Sequence, residues 1–280
     1  MTNTSSNNGA PSVPASSRNE VSTEAVLPDF EPGTFSPQAA SASKLKMIVA
    51  QGAMESKLML RHGEQQLLSI IIPLALLIGF RVFPFSEDLG GLEGAIPMVF
   101  AVAATSAGFT GQAIAVAFDR RYGALKRNGA SGVPAWLIIV SKIIAVFAMV
   151  VLQLVVLGIA AAILGYRAPA SGVALALVVL LFGVATFTAL GLALGGSLSA
   201  EIVLALSNLI WFIMLAIVGW VLYSQGLTDA GWFNVIPSVA LASGLAEALE
   251  GSFPLIPFIS LILWAVGASY IAAKWFRFEG

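Results

Sequence analysis

The chain contains no cysteine and a single histidine, His62. The first absence removes disulfides, thiolate metal sites and cysteine nucleophiles together. The second leaves no histidine cluster for a metal. Charge is equally scarce: 10% of the 280 residues are Asp, Glu, Lys or Arg, where a soluble domain carries about a quarter. Hydrophobic residues make up 58%, and the mean hydropathy is +0.90. A water-soluble fold of this size has too little charge to cover its surface, whereas a protein wrapped in lipid needs no such cover. A net charge of −1 gives no electrostatic support to a nucleic-acid partner. Also missing are an internal repeat, a Ser-His-Asp set and a carboxylate pair within an apolar run. There is no G-x-x-x-x-G-K-[ST] loop to cradle phosphates. These absences leave an all-α integral membrane protein without an ATP site of its own.

What is present is a series of apolar runs. A spanning helix takes roughly 20 mostly apolar residues, and six stretches qualify: about 67–83, 94–118, 133–166, 170–199, 202–223 and 253–276. The first is short and the third and fourth are long enough to tilt or protrude. Lys and Arg mark the cytoplasmic side. With the N-terminus inside, the inner segments hold Lys44, Lys46, Lys57, Arg61, Arg120, Arg121, Lys126, Arg127, Lys274 and Arg277. The outer ones hold Arg81 and Arg167, each at a helix end, with Glu87, Asp88, Glu93, Asp229, Glu247 and Glu250. The expected topology is six helices, multi-pass in a plasma membrane, with both termini cytoplasmic. Lys142 lies about two turns into the third run, where a long side chain can reach back to the interface.

Three further segments have their own character. Residues 1–43, opening "MTNTSSNNGAPSVPASSRNE", are rich in Ser, Asn, Pro and Ala, lack an apolar core for a secretory signal, and read as a disordered cytoplasmic tail. Residues 44–65 mix apolar residues with Lys and Glu. Most of Met47, Ile48, Met54, Leu58 and Leu60 can share one broad face, which predicts an amphipathic helix lying in the interface. Residues 224–252 include "FNVIPSVALASGLAEALEG", too short and too punctuated by Pro237 and Gly244 to span, and suited to an interfacial or re-entrant helix. Gly191 with Gly195, and Ala107 with Gly111, have the spacing that lets helices approach closely.

Against this background, "FDRRYGALKRNGASG" stands out, with four basic residues and one acid between Asp119 and Arg127. Two readings apply. It is a topology anchor, or it is one or two turns of helix, capped by Gly129 or Gly132, that project charge into the cytosol with Arg120, Gly123 and Arg127 on one side. An anchor explains the sign of the charge but not its order. The order D/E-R-x-x-G-x-L-K-R between a second and a third span, followed by a Gly/Pro break, resembles the membrane permeases of ABC type-2 exporters. The resemblance covers roughly residues 44–280, including the amphipathic entry helix, the six-span layout and the ending "KWFRFE". Asp119 stands where that family usually carries Glu.

The resemblance implies an all-α membrane domain of six transmembrane helices with an N-terminal amphipathic interfacial helix. It makes the chain the permease subunit of an ATP-driven exporter, most simply in a bacterium. It implies that Asp119, Arg120, Arg121, Gly123, Lys126 and Arg127 form a coupling element that docks on a separate nucleotide-binding ATPase subunit. ATP and Mg would be bound by that partner, with no cofactor on this chain. One six-span permease is half a pore, so a second permease copy, identical or not, is implied. The family's cavity lies between the second and fifth spans, which points to Phe100, Thr105, Phe109, Gln112, Asn208, Trp211, Phe212 and Met214. The same residues also suit ordinary helix packing, as Gln153 suits interhelical bonding. With no charge among them, they fit a lipophilic or amphiphilic substrate better than a highly anionic one. A secondary transporter and a non-transporting membrane anchor are the competing readings.

Overall fold

The computed structural model describes residues 43–61, 67–83, 90–124, 127 and 135–275. The expected tail up to residue 42, Lys126, the Gly-rich break at 128–132 and the end beyond Trp275 lie outside the described residues. Among the described residues the chain is entirely helical, with no strand. Residues 42–280 belong to one compact unit.

Helix α1, Lys44–Arg61, is amphipathic. The covered stripe is Ile48, Gln51, Gly52, Glu55 and Met59, while Leu45, Val49, Met54, Leu58 and Leu60 are exposed. Close approach decides this. A Cβ on Gly52 would come within 3.1 Å of the Ile144 side chain, so the glycine lets α1 lie close to the third apolar run without displacing Ile144.

Helix α2 opens with a π-helical turn, Leu67–Ile71, and continues as Ile72–Val82. At 1.5 Å per residue it is roughly 24 Å long, short of a ~30 Å hydrocarbon core. Five other helices are long and apolar enough to cross a membrane. They are α3 (Gly91–Arg121), α4 (Ala135–Ile163, with its apolar part at Val140–Ile163), α5 (Ala170–Ser197), α6 (Ala200–Ser224) and, after the short helix described next, α8 (Leu255–Trp275). The count of six therefore rests on the shorter α2.

Between α6 and α8 the chain makes a 3-10 turn, Gly231–Val235, and helix α7, Pro237–Leu249. Helix α7 is too short to span and almost wholly buried, packed among α3, α5, α6 and α8. Small residues make room for it: a Cβ on Gly172 would sit 2.7 Å from the Leu249 carbonyl oxygen, and one on Gly244 3.0 Å from Val179. Buried Asn234 and Ser243 pair across it through a 2.7 Å hydrogen bond donated by Ser243.

Helix α3 runs through the centre of the bundle. It is α-helical over Gly91–Thr105, widens to a π-helix at Ser106–Gly111, and returns to α over Gln112–Arg121. The wide turn brings its carbonyls against α5. A Cβ on Gly191 would lie 2.7 Å from the Phe109 carbonyl oxygen, and one on Gly195 would strike that of Ala113. This is the close contact for which the Gly191–Gly195 spacing is suited. Gln153 of α4 donates to the Ser69 and Ala103 carbonyls at 3.1 and 3.2 Å, joining α2, α3 and α4.

Candidate functional site

The basic segment sits where α3 ends. The α-helix stops at Arg121, and Gly123 adopts φ +67°, the left-handed conformation that turns a chain out of a helix. Arg120, Gly123 and Arg127 thus do not share the side of a continuous helix, which corrects the geometry read from the sequence. The Gly123 N–H donates to the Arg120 carbonyl at 3.0 Å, and the Arg127 N–H donates to the Gly123 carbonyl at 3.0 Å. Arg127 Nη1 also donates to the Tyr122 carbonyl at 2.9 Å.

Nor do all the charges project outward. Arg120 is buried, and its Nη1 donates at 2.9 Å to the carbonyls of both Gly195 and Leu198 at the end of α5. Those carbonyls belong to a helix C-terminus, which lacks internal donors for its last turn. Gly195 is what lets α3 come near enough for the guanidinium to reach them. Arg121 pairs with Glu201 in the first turn of α6. Asp119 accepts from Lys142 Nζ at 2.6 Å, and Lys142 also donates to Glu55 of α1 at 3.3 Å. The Lys142 side chain is 4% exposed. A cation this buried is tolerable only with such partners.

Three successive residues at one helix end are therefore tied to α1, α4, α5 and α6. Tyr122, Arg121 and Arg127 remain exposed beyond those ties. Tyr122 stacks on Phe118 at 5.9 Å, with the Arg121 guanidinium 5.9 Å from its ring centre. Sequence reasoning found Asp119 through Arg127 but missed Glu55 and Lys142 as members of the same cluster. A lone lysine inside an apolar run was the available signal, because it demands a carboxylate nearby.

The residues expected to line a pathway do not share one of the cavities formed by the described residues. Gln112 opens into a space of about 390 Å³ beside Glu55, Phe118, Asp119 and Lys142. Phe100 lines a different cleft, between α4 and α5. Thr105 is spent on the Val102 carbonyl at 2.9 Å. Phe109, Trp211 and Met214 are buried, whereas Phe212 is 58% exposed and Asn208 donates to its own helix at the Leu204 carbonyl. Among the described residues, buried polar atoms without a hydrogen-bond partner include Thr110 Oγ1 and Gln112 Oε1 of α3, Thr188 Oγ1 of α5, and Ser207 Oγ and Trp211 Nε1 of α6. Buried polar groups are normally satisfied, so each of these retains unused hydrogen-bonding capacity. Gln112 and Trp211 were among the residues picked from sequence; Thr110, Thr188 and Ser207 were not.

Compared with known families, residues 32–276 match the model described as ABC-2 family transporter protein. No curated protein and no solved structure matches the chain.

Proposed function

The chain belongs to the ABC-2 transporter family, and from that premise we propose that it is the permease subunit of an ATP-driven exporter, worked by a separate ATPase chain through residues 119–127. One observation carries the reading. Asp119, Arg120 and Arg121 are each joined to a different neighbouring helix, while Tyr122 and Arg127 stay exposed. A topology anchor needs charge alone. A segment fastened to α1, α4, α5 and α6 and exposed at its tip can receive a push and pass it to the bundle.

In this reading a partner binds ATP and Mg and closes around them, moving the exposed turn. The turn shifts α3 as a rigid rod, and the bundle alternates between inward-open and outward-open forms. The exposed face of α6, bearing Leu209, Phe212 and Ile213, would meet a second permease copy. A lipophilic or amphiphilic guest would pass along α3 and α6, where the partnerless groups of Gln112, Ser207 and Trp211 can bond it. With the proposed topology of six spans and both termini cytoplasmic, the basic turn would lie where an ATPase can reach it.

The test separates the exposed tip from the buried ties. The chain is tagged, purified from native membranes and assayed for an ATPase partner of about 30 kDa, the size of one nucleotide-binding domain. Tyr122→Ala with Arg127→Ala, which leaves the ties at Asp119, Arg120 and Arg121 in place, should insert and fold normally yet lose ATP-driven export in vesicles. Full export by that variant, or purification of the chain without any ATPase, overturns the proposal.

A further inference from the structure

Helices α4 and α5 follow one another in the chain, and a cleft lies between them beside their connection. Small residues are the cause: Gly158 and Ala161 of α4 face Ala176 of α5 across a cleft of about 330 Å³ floored by Phe100 and Leu245. A Cβ placed on Gly158 meets no atom within 4 Å. The cleft is open on one side, where Ala162, Val173 and Leu177 are exposed, so an apolar chain can enter it from the surrounding lipid. It lies within the size range of ligand pockets and is lined almost wholly by apolar side chains.

Tyr166 closes one end of this cleft and also lines a second, polar space of about 600 Å³ with Glu93, Glu250 and Arg167. Arg167 caps the end of α4, its Nη1 donating at 2.8 Å to the carbonyls of Ala162 and Tyr166. The two carboxylates have no such assignment among the hydrogen bonds and ion pairs of the described residues. Burial and the charges of Glu93 and Glu250 raise the Tyr166 pKa, so its phenol stays neutral beside them.

We propose that the cleft and the polar space together form a binding site for a cationic amphiphile, with its tail against Gly158, Phe100 and Leu245 and its ammonium head between Glu93 and Glu250 over the Tyr166 ring. The carboxylates, both on exposed residues, supply charge of the required sign, and an aromatic face attracts a cation. The site lies at the end of the bundle opposite the basic segment, so it goes beyond the coupling reading and stands whether or not an ATPase drives the chain.

The test is equilibrium binding of radiolabelled dodecyltrimethylammonium to the full chain in nanodiscs of zwitterionic lipid, against empty nanodiscs. Wild type should show one saturable site. Gly158→Leu fills open space and replaces a helical glycine, so it should fold at least as well. It should weaken binding by about tenfold, the loss of about two buried methylenes. Glu93→Gln with Glu250→Gln should weaken the cation several-fold and leave a neutral dodecyl glycoside unaffected. The proposal falls if wild type binds no more than empty nanodiscs, if Gly158→Leu binds as wild type does, or if the neutral glycoside binds as tightly as the cation.

Discussion

Replacing Lys142 with methionine keeps the length of the side chain and removes its charge. In the wild type that charge sits 2.6 Å from Asp119 and 3.3 Å from Glu55, on a side chain 4% exposed. Breaking a buried pair from one side costs about 3–5 kcal/mol, because the remaining charges are left buried and uncompensated. Here the abandoned groups are two carboxylates that repel each other. Asp119 retains 34% of its side-chain exposure and Glu55 15%, so water relieves part of the penalty. A loss near the lower end, about 3 kcal/mol, is expected. Asp119→Asn leaves Lys142 with Glu55 and should cost less, about 1–2 kcal/mol. The triple variant Lys142→Met, Asp119→Asn, Glu55→Gln leaves no buried charge and should recover most of the stability. Unfolding of the detergent-solubilised chain, followed by tryptophan fluorescence, measures all of these, and the Lys142–Asp119 double-mutant cycle should give a coupling above about 1 kcal/mol. If Lys142→Met costs less than about 0.5 kcal/mol, or the two substitutions simply add, the cluster does not hold α1 and α4 to the end of α3.

Arg120→Ala should destabilise the bundle by about 2–3 kcal/mol, since it strips donors from two buried carbonyls, whereas Arg121→Ala at an exposed pair should cost under about 1 kcal/mol; thermal melts of the two variants compare them directly. Gly195→Ala drives a methyl into the Ala113 carbonyl and should cost about 1–3 kcal/mol, while Gly158→Ala, which meets open space, should be neutral or stabilising by up to about 1 kcal/mol. Burial, then the charge of Glu250, raises the pKa of Glu247. The folded state therefore favours protonated Glu247, and the stability this contributes is present below the ordinary glutamate range and lost as pH rises through the raised value. Glu247→Gln should accordingly match wild type in acid and become the more stable protein at neutral pH, which a pH series of melting curves will register.

The long helices were readable because hydrocarbon thickness sets a minimum apolar length, and expected runs such as 94–118 and 202–223 fall on helices Gly91–Arg121 and Ala200–Ser224. What escaped were contacts between residues distant in sequence. Lys142 meets Glu55 across 87 positions, and no periodicity within either helix records that. The side of α1 that meets the bundle escaped for a related reason: the approach to α4 runs through Gly52, whose missing side chain leaves no hydropathy signal. The π-helical turn at Ser106–Gly111 leaves no hydropathy signature either, because its reason is the partner helix. Around the basic segment, sequence order singled out the residues, while the direction of each charge was set by neighbours. Arg120 turned inward because Gly195 gave it access to the end of α5, and Gly123 broke the helix on which a shared face would have depended.

The central claim is that an exposed turn at the end of α3 is moved by another polypeptide. A photo-crosslinking amino acid at Tyr122, 64% exposed and beyond the buried ties, tests this in native membranes. The account predicts that illumination joins the chain to an ATP-hydrolysing protein, with the yield changing when ATP is added. Labelling of the same position by an impermeant reagent applied from outside the cell, or crosslinks to no other protein, would contradict it.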